Sequence, residues 1–191
     1  RYGTPFSVLF LALDQFKTVN DKHGHVVGDR LLMAVAERIA ELVHEPDLVA
    51  RVGGDEFAII QPDGSDGDSV PRLADRLIEV IGRPYIIGGE EIRIGVSIGI
   101  VAAPVNGTRA DQILRNADLA LYRAKADGSS TYRVFESEMD SEARERRQLE
   151  VELRDAIGQN QLVLYYQPVV GSQDEQPVGF EALIRWNHPT R

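Results

Sequence analysis

Residues 51–57 read Arg-Val-Gly-Gly-Asp-Glu-Phe, with two adjacent carboxylates, Asp55 and Glu56, directly after two glycines. Paired carboxylates can hold a divalent cation or take a proton from a hydroxyl. Gly53 and Gly54 let the backbone approach a ligand closely, because no Cβ intervenes. The same residues also make an ordinary turn with solvated acids, since glycine-rich turns are common. Lys17 and Lys125 could meet phosphate, but taken alone they read as solvated surface charges. His23 and His25 have a spacing that suggests metal. Two imidazoles with no matching second pair fit a structural or surface role better.

The elements that must position these groups follow from apolar spacing. Residues 7–14 are an apolar run of strand length. Residues 21–28, rich in Gly and His, read as a loop. Residues 29–43 have helical spacing through Leu31, Leu32, Val35, Ala36, Ile39 and Leu42, with Pro46 beyond. Two short apolar runs, 48–52 and 57–60, flank the paired acids as a hairpin with its tip at 53–56. A polar loop at 62–68 leads to a helix over 70–81. Residues 85–87, Gly88-Gly89 and 92–101 read as a second hairpin, followed by a helix over 109–126 and a strand over 132–135. The order β-α-β-β-α-β-β-α-β implies an α/β domain of the α+β kind: a mainly antiparallel central sheet flanked by helices. Charge then rises over 136–154, with Leu149, Leu153, Ala156 and Ile157 at helical spacing. Runs at 162–170 and 177–186 read as two strands of a new domain. Trp186, Tyr165 and Tyr166 are expected in its core or framework.

The chain has a net charge of −9, which argues against a general nucleic-acid binder with a basic face. It has no cysteine, so disulfides and thiolate metal sites are excluded, and a reducing cytoplasm suits it. The longest strongly apolar run, 6–13, falls far short of the roughly 20 residues a membrane helix needs. No signal peptide is visible, and neither end reads as a natural domain edge. The expectation is an excerpt of a longer cytoplasmic protein, with room for membrane attachment through other segments.

Arg51-Val52-Gly53-Gly54-Asp55-Glu56-Phe57 resembles the signature of the GGDEF family, the fold of bacterial diguanylate cyclases. Phe16-Lys17-Thr18-Val19-Asn20-Asp21 and Gly24-His25-Val26-Val27-Gly28-Asp29 are similar to its FKxxND and GHxxGD stretches. Val96-Ser97-Ile98-Gly99-Ile100 resembles its SxG strand, and residues 117–125 resemble its AD-ALYxAK helix. The match runs in order from about 7 to 135; the family's opening helix is missing before Arg1. Tyr166-Gln167-Pro168-Val169 and residues 179–186 resemble the start of EAL phosphodiesterases. The resemblances imply a GGDEF domain over 1–136 with a nucleotide-cyclase or polymerase-palm-like fold, a linker helix over 137–160, and a truncated EAL barrel over 161–191.

In function, the resemblance implies that a homodimer joins two GTP molecules into cyclic di-GMP, with Mg²⁺ or Mn²⁺ as cofactor. Asp55, Glu56 and the backbone carbonyl of Leu13 would hold metal, the two acids serving catalysis. Asn20 and Asp29 would read guanine; a carboxylate can accept from both N1–H and the 2-amino group, a donor pair adenine lacks. Gly53 and Gly54 would pass close to the nucleotide, and Phe16, Lys17 and Lys125 would meet its phosphates. In the EAL part Glu181 would bind metal, while Gln167 and Arg185 would contact the dinucleotide. That part is too short to hydrolyse cyclic di-GMP alone.

Three departures from the family pattern bear on activity. Ala12 stands where the family has a metal-binding Asp. Asp14 would lie one strand alternation away, roughly 6–7 Å, too far to replace it without rearrangement. Ser129 stands where an arginine is usual. His44 replaces the arginine of the family's product-inhibition site, of which Asp47 remains, so cyclic di-GMP is not expected to bind tightly there. Three readings stay open: a cyclase, a non-catalytic GTP-binding regulator of the EAL part, and a module that only supports dimerisation.

Overall fold

The structure, a computed structural model, describes residues 4–62, 69–171 and 176–190. Most of the loop expected at 62–68 lies outside the described residues. The first half of the chain runs β1 (Phe6–Leu13), α1 (Phe16–His23), α2 (His25–Leu42), β2 (Leu48–Gly53), β3 (Glu56–Pro62) and α3 (Ser69–Ile81). It continues through β4 (Tyr85–Ile87), β5 (Glu90–Ile92), β6 (Val96–Ala103), α4 (Ala110–Ala126) and β7 (Tyr132–Val134). Then come α5 (Ser137–Gly158), β8 (Leu162–Val170) and β9 (Pro177–Trp186).

Strand β1 is apolar at nearly every position, so both its faces must be covered. It occupies the centre of a five-stranded sheet ordered β2-β3-β1-β6-β7. It pairs antiparallel with β3 and β6, and only β6–β7 is parallel, so the sheet is mainly antiparallel as expected. Leu9, Leu11 and Leu13 face a core built with α2, α3 and the β4–β5 hairpin. Val8, Phe10 and Ala12 face the opposite core, under α4. Gly99 lets α4 sit directly on β6: a Cβ there would collide with the Ala117 carbonyl and the Leu121 backbone.

Three expectations change. Residues 21–28 are helical apart from Gly24, so α1 and α2 form a corner where a loop was read. Gly24 takes φ 84°, and its amide still donates to the Asn20 carbonyl at 2.8 Å, closing α1 as the chain turns. Gly and His are modest helix formers, which hid this corner from propensity. Residues 85–101 do not make one hairpin. β4 and β5 form their own two-stranded sheet, and β6 departs to pair with β1. Finally, β1 ends at Leu13, so Asp14 lies in a turn and not on the strand.

Arg38 fixes the β4–β5 hairpin to the helices. Its guanidinium donates to the carbonyls of Val80 (2.9 Å), Arg83 (2.7 Å) and Pro84 (2.7 Å) and lies 3.6 Å over the Tyr85 ring. One cation thus satisfies carbonyls at the end of α3, which an α-helix leaves unpaired, and anchors the start of β4.

The chain divides into two compact units, 1–141 and 142–191, with the division inside α5. In the second unit β8 and β9 form an antiparallel hairpin. The Trp186 indole donates to Gln161 Oε1 at 3.1 Å and meets His188 edge-on. Tyr165 and Tyr166, expected in its core or framework, are both exposed, although as successive residues of β8 they point to opposite faces. Among the described residues no helix is long and apolar enough to cross a membrane.

Candidate functional site

The β2–β3 hairpin places the paired acids. Gly53 pairs with Glu56 across the hairpin, so Gly54 and Asp55 form its tip. Gly54 takes φ 48°, a conformation that costs most side chains energy. Arg51 closes the tip from the side: its Nε and Nη2 donate to the Gly54 carbonyl at 3.0 and 2.6 Å. Asp55 and Glu56 are half-buried. The tip rests on the end of β1, where the Leu13 amide donates to the Asp55 carbonyl at 3.2 Å and Glu56 stands opposite Ala12. Leu13 and the two acids therefore meet at one end of the central strands.

The α1–α2 corner gathers the expected nucleotide readers. Asn20 lies in the last turn of α1, and Asp29 is exposed on α2. Gly28 is buried between them, and a Cβ on it would collide with Asn20 Oδ1. That oxygen is itself buried and has no hydrogen-bond partner among the described residues. A buried acceptor left unpaired costs about 1–3 kcal/mol unless a ligand or water satisfies it. Phe16 and Lys17 open α1, with Phe16 half-buried and Lys17 exposed. Among the described residues no side chain caps this end of α1, and its first turn carries no acid, so the terminal amides suit an anion.

Two groups the sequence brought into question lie at the same end of β1. Ala12 is 1% exposed, packed under α4. Asp14 is fully engaged elsewhere. Ser97 Oγ donates to its Oδ1 at 2.6 Å, and the Ser130 amide and hydroxyl donate to its Oδ2 at 2.9 and 3.0 Å. Gly95 leaves the space for this contact, since a Cβ there would collide with both side chains. Asp14 thus joins the end of β1 to β6 and to the loop after α4. Lys125 lies exposed in the last turn of α4, just before that loop, where Ser129 and Ser130 take φ 63° and 50°. Among the described residues no group of three or more His, Asp or Glu is arranged to hold a metal ion.

In the second unit Gln167 stands opposite Glu181, and Arg185 lies two alternations further along β9. All three side chains therefore share one face of the β8–β9 hairpin, and all are exposed.

Sequence reasoning missed the supporting residues. Ser97 and Gly99 were read only as part of a strand signature, yet one anchors Asp14 and the other admits α4. Ser130 and Arg51 carried no signal beyond their neighbourhood, since a hydrogen bond across 116 residues leaves no local pattern.

A family model described as "Diguanylate cyclase, GGDEF domain" matches residues 1–131, and one described as "EAL domain" matches residues 150–191. The chain is 46% identical over 184 residues to the bifunctional diguanylate cyclase/cyclic di-GMP phosphodiesterase MucR of Pseudomonas aeruginosa, covering 96% of this chain and 27% of that protein. Among solved structures, an EAL/GGDEF domain protein from M. capsulatus shares 44% identity at TM-score 0.67, covering 71% of this chain and 88% of that one. The coiled coil and GGDEF domain of DgcB from Caulobacter crescentus, solved with c-di-GMP, shares 31% identity at TM-score 0.62, with 70% of each chain covered. The chain spans about a quarter of the length of the curated relatives it matches. Membership of this family implies use of divalent metal in general. With its model matching 131 of 191 residues, the chain belongs to the GGDEF family of diguanylate cyclases.

Proposed function

We propose that residues 1–136 bind GTP and act in cyclic di-GMP synthesis, within a longer GGDEF–EAL protein of the cytoplasm. Residues 137–160 serve as its linker helix and 161–191 as the start of its EAL domain. The observation that carries this reading is the unsatisfied Asn20 Oδ1, held by Gly28 in the α1–α2 corner beside Asp29. Asn20 and Asp29 read the guanine edge. The free amides of Phe16 and Lys17 and the Lys125 ammonium hold phosphate. Gly53 and Gly54 let the nucleotide lie against the hairpin tip.

Each domain holds one GTP, so two domains meet face to face in a homodimer. Each 3′-oxygen then forms a bond to the other nucleotide's α-phosphorus, and each broken α–β bridge releases pyrophosphate. Glu56 is assigned to take the 3′-hydroxyl proton. The donor set of Asp55, Glu56 and the Leu13 carbonyl is all oxygen, which suits Mg²⁺ or Mn²⁺. One or two carboxylates plus substrate phosphates are a usual Mg²⁺ site. The chemistry such an ion supplies there is neutralisation of phosphate charge and activation of the hydroxyl. Ala12 removes a third carboxylate from that set, and Asp14 is held by Ser97 and Ser130, so the expected cyclase is a slow one. In the EAL part, Glu181 is assigned to metal and Gln167 and Arg185 to the dinucleotide, once the rest of that domain is present.

Calorimetric titration of the chain with GTP and with ATP tests the nucleotide assignment. GTP should bind at least about tenfold more tightly, the equivalent of 1.4 kcal/mol. Asp29→Ala should remove most of that preference. Equal affinity of the unaltered chain for both nucleotides would sink the assignment.

A further inference from the structure

His23 closes α1, three residues after Asn20, yet its side chain does not point into the nucleotide corner's chemistry. Its Nδ1 lies 2.7 Å from Oε2 of Glu90, 67 residues away at the start of β5. The His23 side chain is only 16% exposed, and Glu90 is 66% exposed. An ionised carboxylate only accepts, so Nδ1–H is the donor. The imidazole also stands in the last turn of α1, together with Lys22, where a positive charge is favoured by the helix dipole.

The contact has a rigid partner. Glu90 follows the Gly88-Gly89 turn, and its hairpin is seated in the core through Tyr85, Ile87 and Ile92. Arg38 ties the base of that hairpin to α2 and to the end of α3. The α1–α2 corner, by contrast, turns on Gly24, which has open space around its Cα and takes φ 84°. Gly28 packs on Asn20 and Phe16 inside the joint, and Phe16, Val19 and Val27 lean on the core, so what His23 adds is a polar tie at the C-terminal end of α1. His23–Glu90 fixes the α1 side to an element that is already fastened to the α2 side.

We propose that His23 and Glu90 are positioning residues for guanine recognition: their contact sets the angle between α1 and α2, and so the spacing of Asn20 and Asp29. Neither residue touches the nucleotide. The proposal rests on the nucleotide reading of this corner and adds to it a specificity determinant outside the site. Exposed ion pairs contribute little to global stability, so the effect is expected in selectivity and local order and not in folding.

The test is a double-mutant cycle on the 191-residue chain with His23→Ala, Glu90→Ala and the pair, read by GTP and ATP titration and by amide hydrogen exchange. Each single change should lower the GTP-to-ATP affinity ratio about threefold, the scale of one partly exposed pair. The double change should do no more than either single one, because both remove the same contact. Exchange at Gly24, Val27 and Gly28, whose amides bond across the corner, should quicken in all three variants. An unchanged ratio together with unchanged exchange overturns the proposal. A drop in melting temperature with the ratio intact also overturns it, since the pair is then only structural. An unaltered chain with no preference for GTP overturns the nucleotide reading itself, whatever the exchange data show.

Discussion

At the scale of single residues, the most informative side chain is Asp14, because its surroundings decide what it can do. Three hydrogen bonds from Ser97 and Ser130 occupy its carboxylate. Ser97 is wholly buried, so Asp14→Ala leaves its hydroxyl without an acceptor. That orphan should cost about 1–3 kcal/mol. Chemical denaturation of the first unit should show the loss as a lower midpoint with an unchanged slope. Asp14→Asn should recover part of it, since its oxygen can still accept. If Asp14→Ala leaves the midpoint unchanged but weakens metal binding, Asp14 is a ligand and the structural role assigned here is wrong. Asp55 and Glu56 were legible as candidates from their place directly after two glycines, and Asn20 and Asp29 from the resemblance to the GGDEF family. The engagement of Asp14 was not. Its partners come from β6 and from the loop after α4, and a strand reading of 7–14 placed it one residue too far into β1.

At the scale of elements, helix α4 and the β4–β5 hairpin show what periodicity captures and what it omits. Helix α4 was expected over 109–126 and runs Ala110–Ala126, with Ile113, Ala117, Ala120, Leu121 and Ala124 among its buried residues. Its closeness to β6 was not legible, because that depends on a missing Cβ. Gly99→Ala must push α4 from the sheet against backbone atoms, which cannot give as a flexible side chain does. Overpacking of this kind costs about 1–3 kcal/mol. Thermal unfolding should report a fall of several degrees, and an unchanged melting temperature would refute the close packing.

The hairpin was misread for a related reason: residues 92–101 alternate without a break, whereas the departure of β6 is set by its pairing with β1. Within it, Tyr85 is 4% exposed and its hydroxyl has no hydrogen-bond partner among the described residues. Burial raises its pKa above the ordinary 10.0, and the positive charge of Arg38 offsets this only in part. The folded state then holds the phenol proton more tightly than the unfolded one. Its contribution to stability is full below the ordinary value and is lost as pH rises through the folded value. Tyr85→Phe should flatten that alkaline fall and leave neutral-pH stability nearly unchanged. A steeper alkaline fall in the variant would contradict the burial argument.

At the scale of the whole molecule, the chain divides into two compact units within α5. Sequence could read the mainly antiparallel sheet, from the order of its elements. It could not read the α1–α2 corner, which looked like a loop of Gly and His. The cyclase chemistry proposed above would need two copies of the first unit, each with one GTP. Its rate therefore has to be measured on the full-length protein, where two copies can meet. Ala12 is the residue to change there. It faces Glu56 across the β1–β3 pair and is buried under α4. Ala12→Asp places a carboxylate in a closed apolar setting, which costs stability unless a cation joins it. The melting temperature should fall without metal and recover with Mg²⁺ or Mn²⁺.

Cyclic di-GMP formed from GTP, measured on the full-length protein with and without Ala12→Asp, tests the central claim of a cyclase slowed by one missing carboxylate. The account predicts slow formation by the unaltered protein and a rise of at least about tenfold in the variant, equal to 1.4 kcal/mol of transition-state stabilisation. Glu56→Ala in the same background should abolish the gain. An unaltered protein that already turns over as fast as Ala12→Asp, or a variant that binds metal and still forms no dinucleotide, would contradict it.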